Sequence, residues 1–591
     1  MSQAAGAARA KTVIGIHDGH NAAVALLRDG ELKLAIQEER VSRIKNQGDV
    51  PVETAKLALE MATGDGSEIA SGAGSPTGAD VQVALNGHYM NYGQWDRETV
   101  IRDYAESGGF LSRMKQPLKN TFVDRAYQRR REQEREARLA ALGIDRSRIT
   151  PVEHHQAHAS AAYYTSPFQE GRCLVLTCDG SGDRLSATVS IGENGTLERI
   201  AEISEHDSIG RLYALVTRAM GMVPLEHEYK VMGLAPYAGQ AQGAQAIAQG
   251  FRDLFEFSDR NPLVWTRRSG VPSMYAAYGL IDRMLHGQRF DWVAGGTQAF
   301  MEGMLTEWVR RAVHETGIRR LACAGGVFMN VKANLAILEL DEVEEMYVLP
   351  SCGDESNSIG AACAAAARLG EKIQPLGGIY FGEPITDGEA QLALEEAARK
   401  SNQLRFHWHG DIERTTAEKL SEGKIVARAK GAVEFGARAL GNRSILARAD
   451  SPNAVRTINH AIKNRDFWMP FAPSVLAERA DDYYEKPKPV ASSYMMFAFR
   501  SRKEKRGAYP AAQHPYDFTT RGHEVTAEHN ADYHRLLQEY ESITGEGILL
   551  NTSFNLHGEP IVYRASDAID VFLRSGLEHM ALSNWWVEKA R

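Results

Sequence analysis

The stretch Cys173-Leu174-Val175-Leu176-Thr177-Cys178-Asp179-Gly180-Ser181-Gly182-Asp183 reads as a short buried strand that delivers a carboxylate into a glycine-rich turn. Residues 186–191 then read as a second strand, Glu193-Asn194-Gly195 as a further turn, and 196–203 as a third strand. The same grammar opens the chain: a strand over 13–16, an Asp18-Gly19 turn, a strand over 22–27, an Asp29-Gly30 turn, and a strand over 31–37. A strand, Asp-Gly turn and strand unit used twice predicts a duplicated α/β architecture whose two turns face each other across a cleft.

Between the copies lies Glu153-His154-His155-Gln156-Ala157-His158. Histidines four residues apart share one helix face, so His154 and His158 are candidates to grip one metal ion, with Asp179 able to complete the shell. The run lacks the glutamate after the first histidine that an HExxH metallopeptidase uses as its base. Further on, 321–327 reads as a strand that ends at Gly325-Gly326 before a helix opening at Asn330, and 347–350 leads through Ser351-Cys352-Gly353-Asp354 into a small-residue helix over 358–369. Glycines there let backbone approach a ligand, and a helix N-terminus favours anions, which suggests a nucleotide cleft.

At 591 residues the chain is too long for one core, and two to four domains are expected. A content of 43% hydrophobic and 24% charged residues is that of an ordinary globular protein. The formal charge of −8 argues against a general affinity for nucleic acid or anionic membrane and favours small-molecule chemistry. No apolar run reaches the length of a membrane span, and residues 1–11 lack the apolar core of a secretory signal, so a cytoplasmic location is expected. Five cysteines without a CxxC pair suit free thiols, with Cys178 and Cys352 read as small buried hydrophobes. A homodimer is compatible with all of this.

The charge-dense segment 112–142 predicts a helix, and its Arg129-Arg130-Arg131 run reads as a solvated face. Composition shifts at Gln374-Pro375-Leu376-Gly377-Gly378, a linker signal. Beyond it, Arg438 among glycines, Lys463, Arg521, and the polar cluster Asn551-Thr552-Ser553-Phe554-Asn555 offer the forks and hydroxyl or amide donors that a dense anion requires. Arg443 and Arg465 read more plainly as surface salt-bridge residues.

With GHNAAVALLRDG, EERVSRIK, HHQAHAS, TCDGSGD, EYKVMGLAPY, GGVFMN, CGDESNSIGAA, EFGARALGNRSIL, IKNRDFWMPFAPS and NTSFN in this order, the chain resembles the NodU/CmcH family of O-carbamoyltransferases, which includes the tobramycin carbamoyltransferase. The resemblance implies an N-terminal actin-like ASKHA domain similar to TsaD proteins over 1–376, and a C-terminal YrdC-like α/β domain over 377–591. It implies that ATP and carbamoyl phosphate, with Mg, give a carbamoyl-adenylate in the second domain. A hydroxyl of a small-molecule natural product, such as an antibiotic, attacks that adenylate in the first. By motif, His154, His158, Asp179 and Asp354 resemble the ligands of iron(II) or zinc, and His20 the general base. Asp18 and Lys45 would meet the acceptor, and Lys230, Gly325, Gly326 and Asn330 would line the nucleotide cleft. Arg438, Lys463, Arg521, Ser553 and Asn555 resemble the carbamoyl-phosphate and ATP site, with Arg438 also catalytic.

Three positions depart from the family pattern: Asn21 stands for a carboxylate, Ala437 for a proline, and Met469 for an arginine before the PFAP segment. Competing readings are threonylcarbamoyl-type tRNA modification, disfavoured by net charge, and a non-catalytic actin-like nucleotide-binding module, disfavoured by retention of His20 and the metal-ligand candidates.

Overall fold

The computed structural model describes residues 12–63, 81–88, 97–105 and 122–590. Residues 1–11, and 112–121 of the expected charge-dense helix, lie outside them. The first sheet comprises β1 (Thr12–His17), β2 (Ala23–Arg28), β3 (Glu31–Gln37), β4 (Val81–Asn86) and β5 (Ile149–Val152) in the order β3-β2-β1-β4-β5. The second comprises β6 (Arg172–Gly182), β7 (Leu185–Glu193), β8 (Thr196–Ser204), β9 (Arg320–Ala324) and β10 (Glu345–Val348) in the order β8-β7-β6-β9-β10. In each, three antiparallel strands are extended by two parallel ones. The expected duplication is therefore present strand for strand. β1 and β2 are buried almost throughout because residues on both faces pack, which is why the sequence shows continuous apolar runs there instead of alternation.

The second Asp-Gly turn is placed differently from the expectation. β6 runs on through Asp179 to Gly182 with a register shift after Cys178, and the hairpin closes at Asp183-Arg184, both with positive φ (47° and 73°). Asp179 thus sits on a bulged strand, held by the sheet on both sides of it.

Helices α1 (Arg97–Ala105) and α2 (Phe122–Ala141) come between β4 and β5, and α3 (His154–Thr165) follows β5. Then come α4 (Ile209–Ala219), α5 (Glu228–Leu234), α6 (Val331–Leu338) and α7 (Asn357–Arg368). Helix α7 packs on β1, β2 and α3 and ties the two halves together. It does so backbone to backbone. A Cβ on Gly360 would lie 1.8 Å from the Ala157 carbonyl oxygen of α3, and one on Gly15 would lie 1.9 Å from the Ser358 carbonyl oxygen.

The remaining residues build an eight-stranded mixed sheet, the core of a C-terminal α/β domain. Its strands are β11 (Leu404–Trp408), β12 (Val426–Ala429), β13 (Arg443–Arg448), β14 (Ala472–Leu476), β15 (His523–Val525), β16 (Ile548–Ser553), β17 (His579–Leu582) and β18 (Trp585–Lys589). They are ordered β11-β18-β17-β12-β13-β16-β14-β15. Arg443 is no surface residue. It is fully buried and donates to the carbonyls of Gly431, Asn442 and Tyr563, so it braces the loop before β13. All five cysteines are buried free thiols, and burial pushes Cys178 and Cys352 well above the ordinary thiol range. Among the described residues no helix is long and apolar enough to cross a membrane.

Gly360→Ala tests the helix junction. The added methyl must displace α3 from α7, and the expected loss is at the upper end of about 1–3 kcal/mol. A lower urea midpoint for the first transition, with Gly377→Ala as the control at an open position, is the measurement.

Candidate functional site

Glu153 caps α3 by accepting from the backbone N–H groups of His155 (2.9 Å) and Gln156 (2.8 Å), and Asp183 accepts from the N–H of His154 (2.8 Å). These bonds fix the first turn, so the four-residue spacing puts His154 and His158 over the end of β6, their ring centroids 4.8 Å apart. Asp179 Oδ2 lies 3.3 Å from His154 Nε2 and 3.2 Å from His158 Nε2. Asp354 Oδ1, from the turn before α7, lies 3.5 Å from each.

Four potential ligand atoms thus lie within 4.8 Å of one another. Asp354 Oδ1 is buried without a hydrogen-bond partner, a condition that a cation would relieve. Two imidazoles and two carboxylates fit a divalent transition ion. Burial opposes charge on His154, yet Asp354 and Asp179 outweigh it and lift the imidazole to about 9, while the two histidines hold the buried Asp179 well below the usual carboxylate range. The intervening His155 points away and pairs with Thr177 Oγ1 (2.8 Å), a structural role.

The first hairpin faces this cluster. His17 bridges Asn86 Oδ1 (2.8 Å) and the His20 carbonyl (3.0 Å), which shapes the turn, and Asn21 takes a positive φ of 60°, a conformation asparagine tolerates. His20 lies within the field of Asp354 and Asp179, and desolvation holds its imidazole below the ordinary value. Asp18 and Lys45, expected together at the acceptor, make different contacts. Asp18 is in an ion pair with the buried Arg135 of α2 (2.6 Å), while Lys45 is exposed and close enough to Lys463 to disfavour its charge. Of the Arg129-Arg130-Arg131 run expected on a solvated face, Arg129 and Arg130 are exposed, whereas Arg131 is half-buried and pairs with Glu134 (2.7 Å). Arg135 gave no sequence signal, because nothing in a charge-dense helix marks an arginine that turns inward.

Gly325 (φ 98°) lets the loop after β9 approach β6: a Cβ there would lie 2.3 Å from the Cys178 carbonyl oxygen, and one on Gly326 would lie 2.9 Å from Asp179 Oδ1. Asn330 caps α6 and exchanges two hydrogen bonds with Gln298 (2.9 and 3.0 Å). Lys230 is ion-paired with Asp466 (3.0 Å), and its carbonyl accepts from Trp468 Nε1 (3.1 Å), so it joins α5 to the C-terminal domain. Met469 packs there too, its sulfur 2.8 Å from where a Cβ on Gly233 would stand.

In the C-terminal domain, desolvation lowers the pKa values of Arg438 (to about 10), Arg465 and Arg521, and repulsion adds to it at Arg438 from Arg465 and at Arg521 from Arg438 and Arg465. The Nε groups of Arg438 and Arg521 are buried without a partner. Arg465, expected on the surface, donates to Thr552 Oγ1 (3.0 Å) and lies over the Phe471 ring. Buried Lys463 donates to Ser553 Oγ (3.0 Å) and Asn555 Oδ1 (2.6 Å), and with no carboxylate beside it desolvation drives its pKa well down. Uncompensated buried cations at this density suit an anionic ligand. Ser351 and Gly436 link the two sets. Ser351 Oγ accepts from the Ala437 N–H (3.2 Å) and also bonds Glu355, which follows Asp354, and Glu355 is pushed up to about 7 mainly by burial. A side chain on Gly436 (φ 96°) would strike Ser351. Neither residue was singled out from sequence, since a contact 85 positions away leaves no local pattern.

Residues 12–363 match the family described as "Carbamoyltransferase N-terminus", and residues 417–589 match "Carbamoyltransferase C-terminus". The chain is 30% identical to nodulation protein NolNO of Sinorhizobium fredii, over 96% of this chain and 79% of that protein. It is 32% identical to protein MJ1058 of Methanocaldococcus jannaschii over 76% and 75% of the two chains. Among solved structures, full-length HypF in its phosphate- and nucleotide-bound form aligns with a TM-score of 0.31 at 13% identity, covering 61% of this chain and 55% of that one.

Protein purified without a chelating tag is expected to contain about one transition ion per chain, and His158→Ala to lose most of it in elemental analysis. Reloading the stripped protein should release protons, because the ion displaces those that the two carboxylates hold on His154 and His158. Unchanged metal content in the variant would remove His158 from the ligand set.

Proposed function

The chain belongs to the carbamoyltransferase family, and on that premise we propose that it is an ATP-dependent enzyme that carries a carbamoyl group from carbamoyl phosphate, through carbamoyl-adenylate, to a hydroxyl of a small-molecule natural product. The observation that carries this reading is the contact at Ser351 and Gly436, where Arg438, its Nε buried without a partner, meets the loop bearing Asp354. Two chemistries sit back to back. We assign 1–376 to carbamoyl transfer and 377–591 to adenylate formation. Hydrogen bonding supports that boundary: the N–H groups of Gln374 and Leu376 donate to Gly30 and Thr165, whereas those of Phe381 and Ile385 donate to Val433 and Gly431.

In the C-terminal domain, Arg438, Arg521 and Lys463, with Ser553 and Asn555, bind carbamoyl phosphate and ATP, the latter with its magnesium ion. Arg465, beside them, serves the same anions. Water cleaves carbamoyl phosphate to carbamate and phosphate; a carbamate oxygen then attacks the α-phosphorus of ATP, and pyrophosphate leaves. Carbamate is a poor electrophile, and the adenylate supplies a leaving group that must be kept from water.

In the N-terminal domain, His154, His158, Asp179 and Asp354 would hold iron(II) or zinc, which supplies positive charge for the phosphate of the adenylate. Gly325, Gly326 and Asn330 form the nucleotide wall, and Lys230 holds the domains in register. His20, kept neutral by desolvation, takes the proton of the acceptor hydroxyl as its oxygen bonds to the carbamoyl carbon; the bond from that carbon to the phosphate oxygen breaks and AMP leaves. Asp18, fixed by Arg135, orients the turn on the acceptor side of His20, and Lys45 stands at the seam between the domains.

ATP–pyrophosphate exchange and acceptor carbamoylation separate the two steps. Arg438→Ala is expected to lower carbamoyl-phosphate-dependent exchange by about 100-fold or more, through loss of a buried charge-assisted contact. His20→Ala should retain exchange and lose about 100-fold or more in transfer. The opposite pattern would invert the domain assignment.

A further inference from the structure

A guanidinium outside both residue sets bears on the transfer cleft. Arg211 sits in the first turn of α4, where Ser208 Oγ accepts from its backbone N–H (2.9 Å) and donates to the Gly180 carbonyl (2.6 Å). Its neighbour Gly210 is wedged between β6 and the glycine loop: a Cβ there would lie 2.7 Å from the Asp179 carbonyl oxygen and 2.9 Å from Val327. Arg211 therefore springs from the point where the metal-ligand strand and the Gly325-Gly326 loop converge.

Two aromatic rings lie against its guanidinium. The Tyr104 ring centroid lies 4.5 Å from Cζ and the Tyr275 centroid 3.9 Å. Tyr275 is itself anchored through its hydroxyl, to Ser181 Oγ (2.6 Å) and Glu205 (3.0 Å), and Tyr104 is buried. A guanidinium held against two rings keeps the parallel N–H donors that match a phosphate or carboxylate edge. Among the described residues no carboxylate pairs with Arg211, and its Nε is buried without a hydrogen-bond partner. The nearby acids are engaged elsewhere: Asp179 with His154, His158 and the Gly180 N–H, Glu205 with Tyr275, and Glu228 with the Leu225 N–H.

We propose that Arg211, held against Tyr104 and Tyr275, binds the phosphate of the nucleotide in the transfer cleft. This deepens the proposed function and rests on its placement of the adenylate beside His154, His158, Asp179 and Asp354. The two rings restrict the fork before the ligand arrives, so less side-chain freedom is lost on binding. Because Tyr104 belongs to α1, that helix becomes part of the nucleotide site.

Titration calorimetry of AMP and of adenosine into the full-length, metal-loaded protein tests this. Wild type should bind AMP more tightly than adenosine. Arg211→Met should weaken AMP by about 10- to 100-fold, the range for losing a charge-assisted pair, and leave adenosine unchanged. Arg211→Lys keeps the charge without the fork and should fall between, and it serves if the methionine variant does not fold. Equal weakening of AMP and adenosine, or AMP affinity equal to wild type in both variants, overturns the proposal. Wild-type ATP–pyrophosphate exchange is measured separately: its absence would count against the proposed function, whereas the AMP result judges Arg211 alone.

Discussion

The contact of Gly360 with the Ala157 carbonyl is the constraint on which the site depends. His154 and His158 lie on α3, Asp354 immediately precedes α7, and the hairpin bearing His20 leaves the end of β1, which meets α7 at Gly15. Each of these elements could form in many relative positions. With a methyl at either glycine, α3 and β1 could not both reach α7 as they do, and the four side chains of the cluster would separate. Backbone-to-backbone packing turns three apolar elements into a rigid frame, and it leaves the geometry little tolerance.

The same logic joins the domains. Gly436 admits Ser351, and Lys230 pairs with Asp466 across the same seam. Arg40 reaches the Gly436 carbonyl (2.5 Å), and Arg43 reaches the carbonyls of Pro560 and Ile561. The last three are directed polar contacts between elements hundreds of residues apart in the chain. They hold one orientation more sharply than apolar surface would, because a slip of the seam leaves charged donors buried and unpaired.

What was legible in the sequence follows from this division of labour. The strands of both repeats were readable because unbroken apolar runs ending in Asp-Gly signals have few alternative meanings, and the pairing of His154 and His158 on one face of α3 was readable because helical spacing is local. The turn at Asp179-Gly180 was misplaced for a physical reason. Glycine marks freedom from steric restraint, and the sheet used that freedom for a bulge, giving the turn to Asp183-Arg184, whose side chains argued against it. Arg135, Arg443, Ser351 and Arg211 were illegible for another reason. An arginine on a solvated helix and one bracing a loop look identical until tertiary structure removes the water from one of them. Lys45 was legible through its motif alone, and its place in the field of Lys463 came only with the fold.

Charge accounting gives the C-terminal pocket its meaning. Withdrawing a cation from water costs several kcal/mol even after relaxation, and desolvation lowers the pKa values of Arg438, Arg521 and Lys463, which among the described residues have no carboxylate at ion-pair distance. Arg443, fully buried where Arg438 and Arg521 are half-buried, spends Nε and Nη1 on carbonyls, has the Glu434 carboxylate in its field and holds a loop. The difference separates a brace from a candidate receptor: the charge of the brace is offset within the protein, whereas a dense anion would offset that of the Arg438 set. Met469 fits the same picture. A further cation there would add repulsion to a cluster already depressed by its own charges, and the thioether packs on Gly233 and leaves anion binding to the arginines that remain.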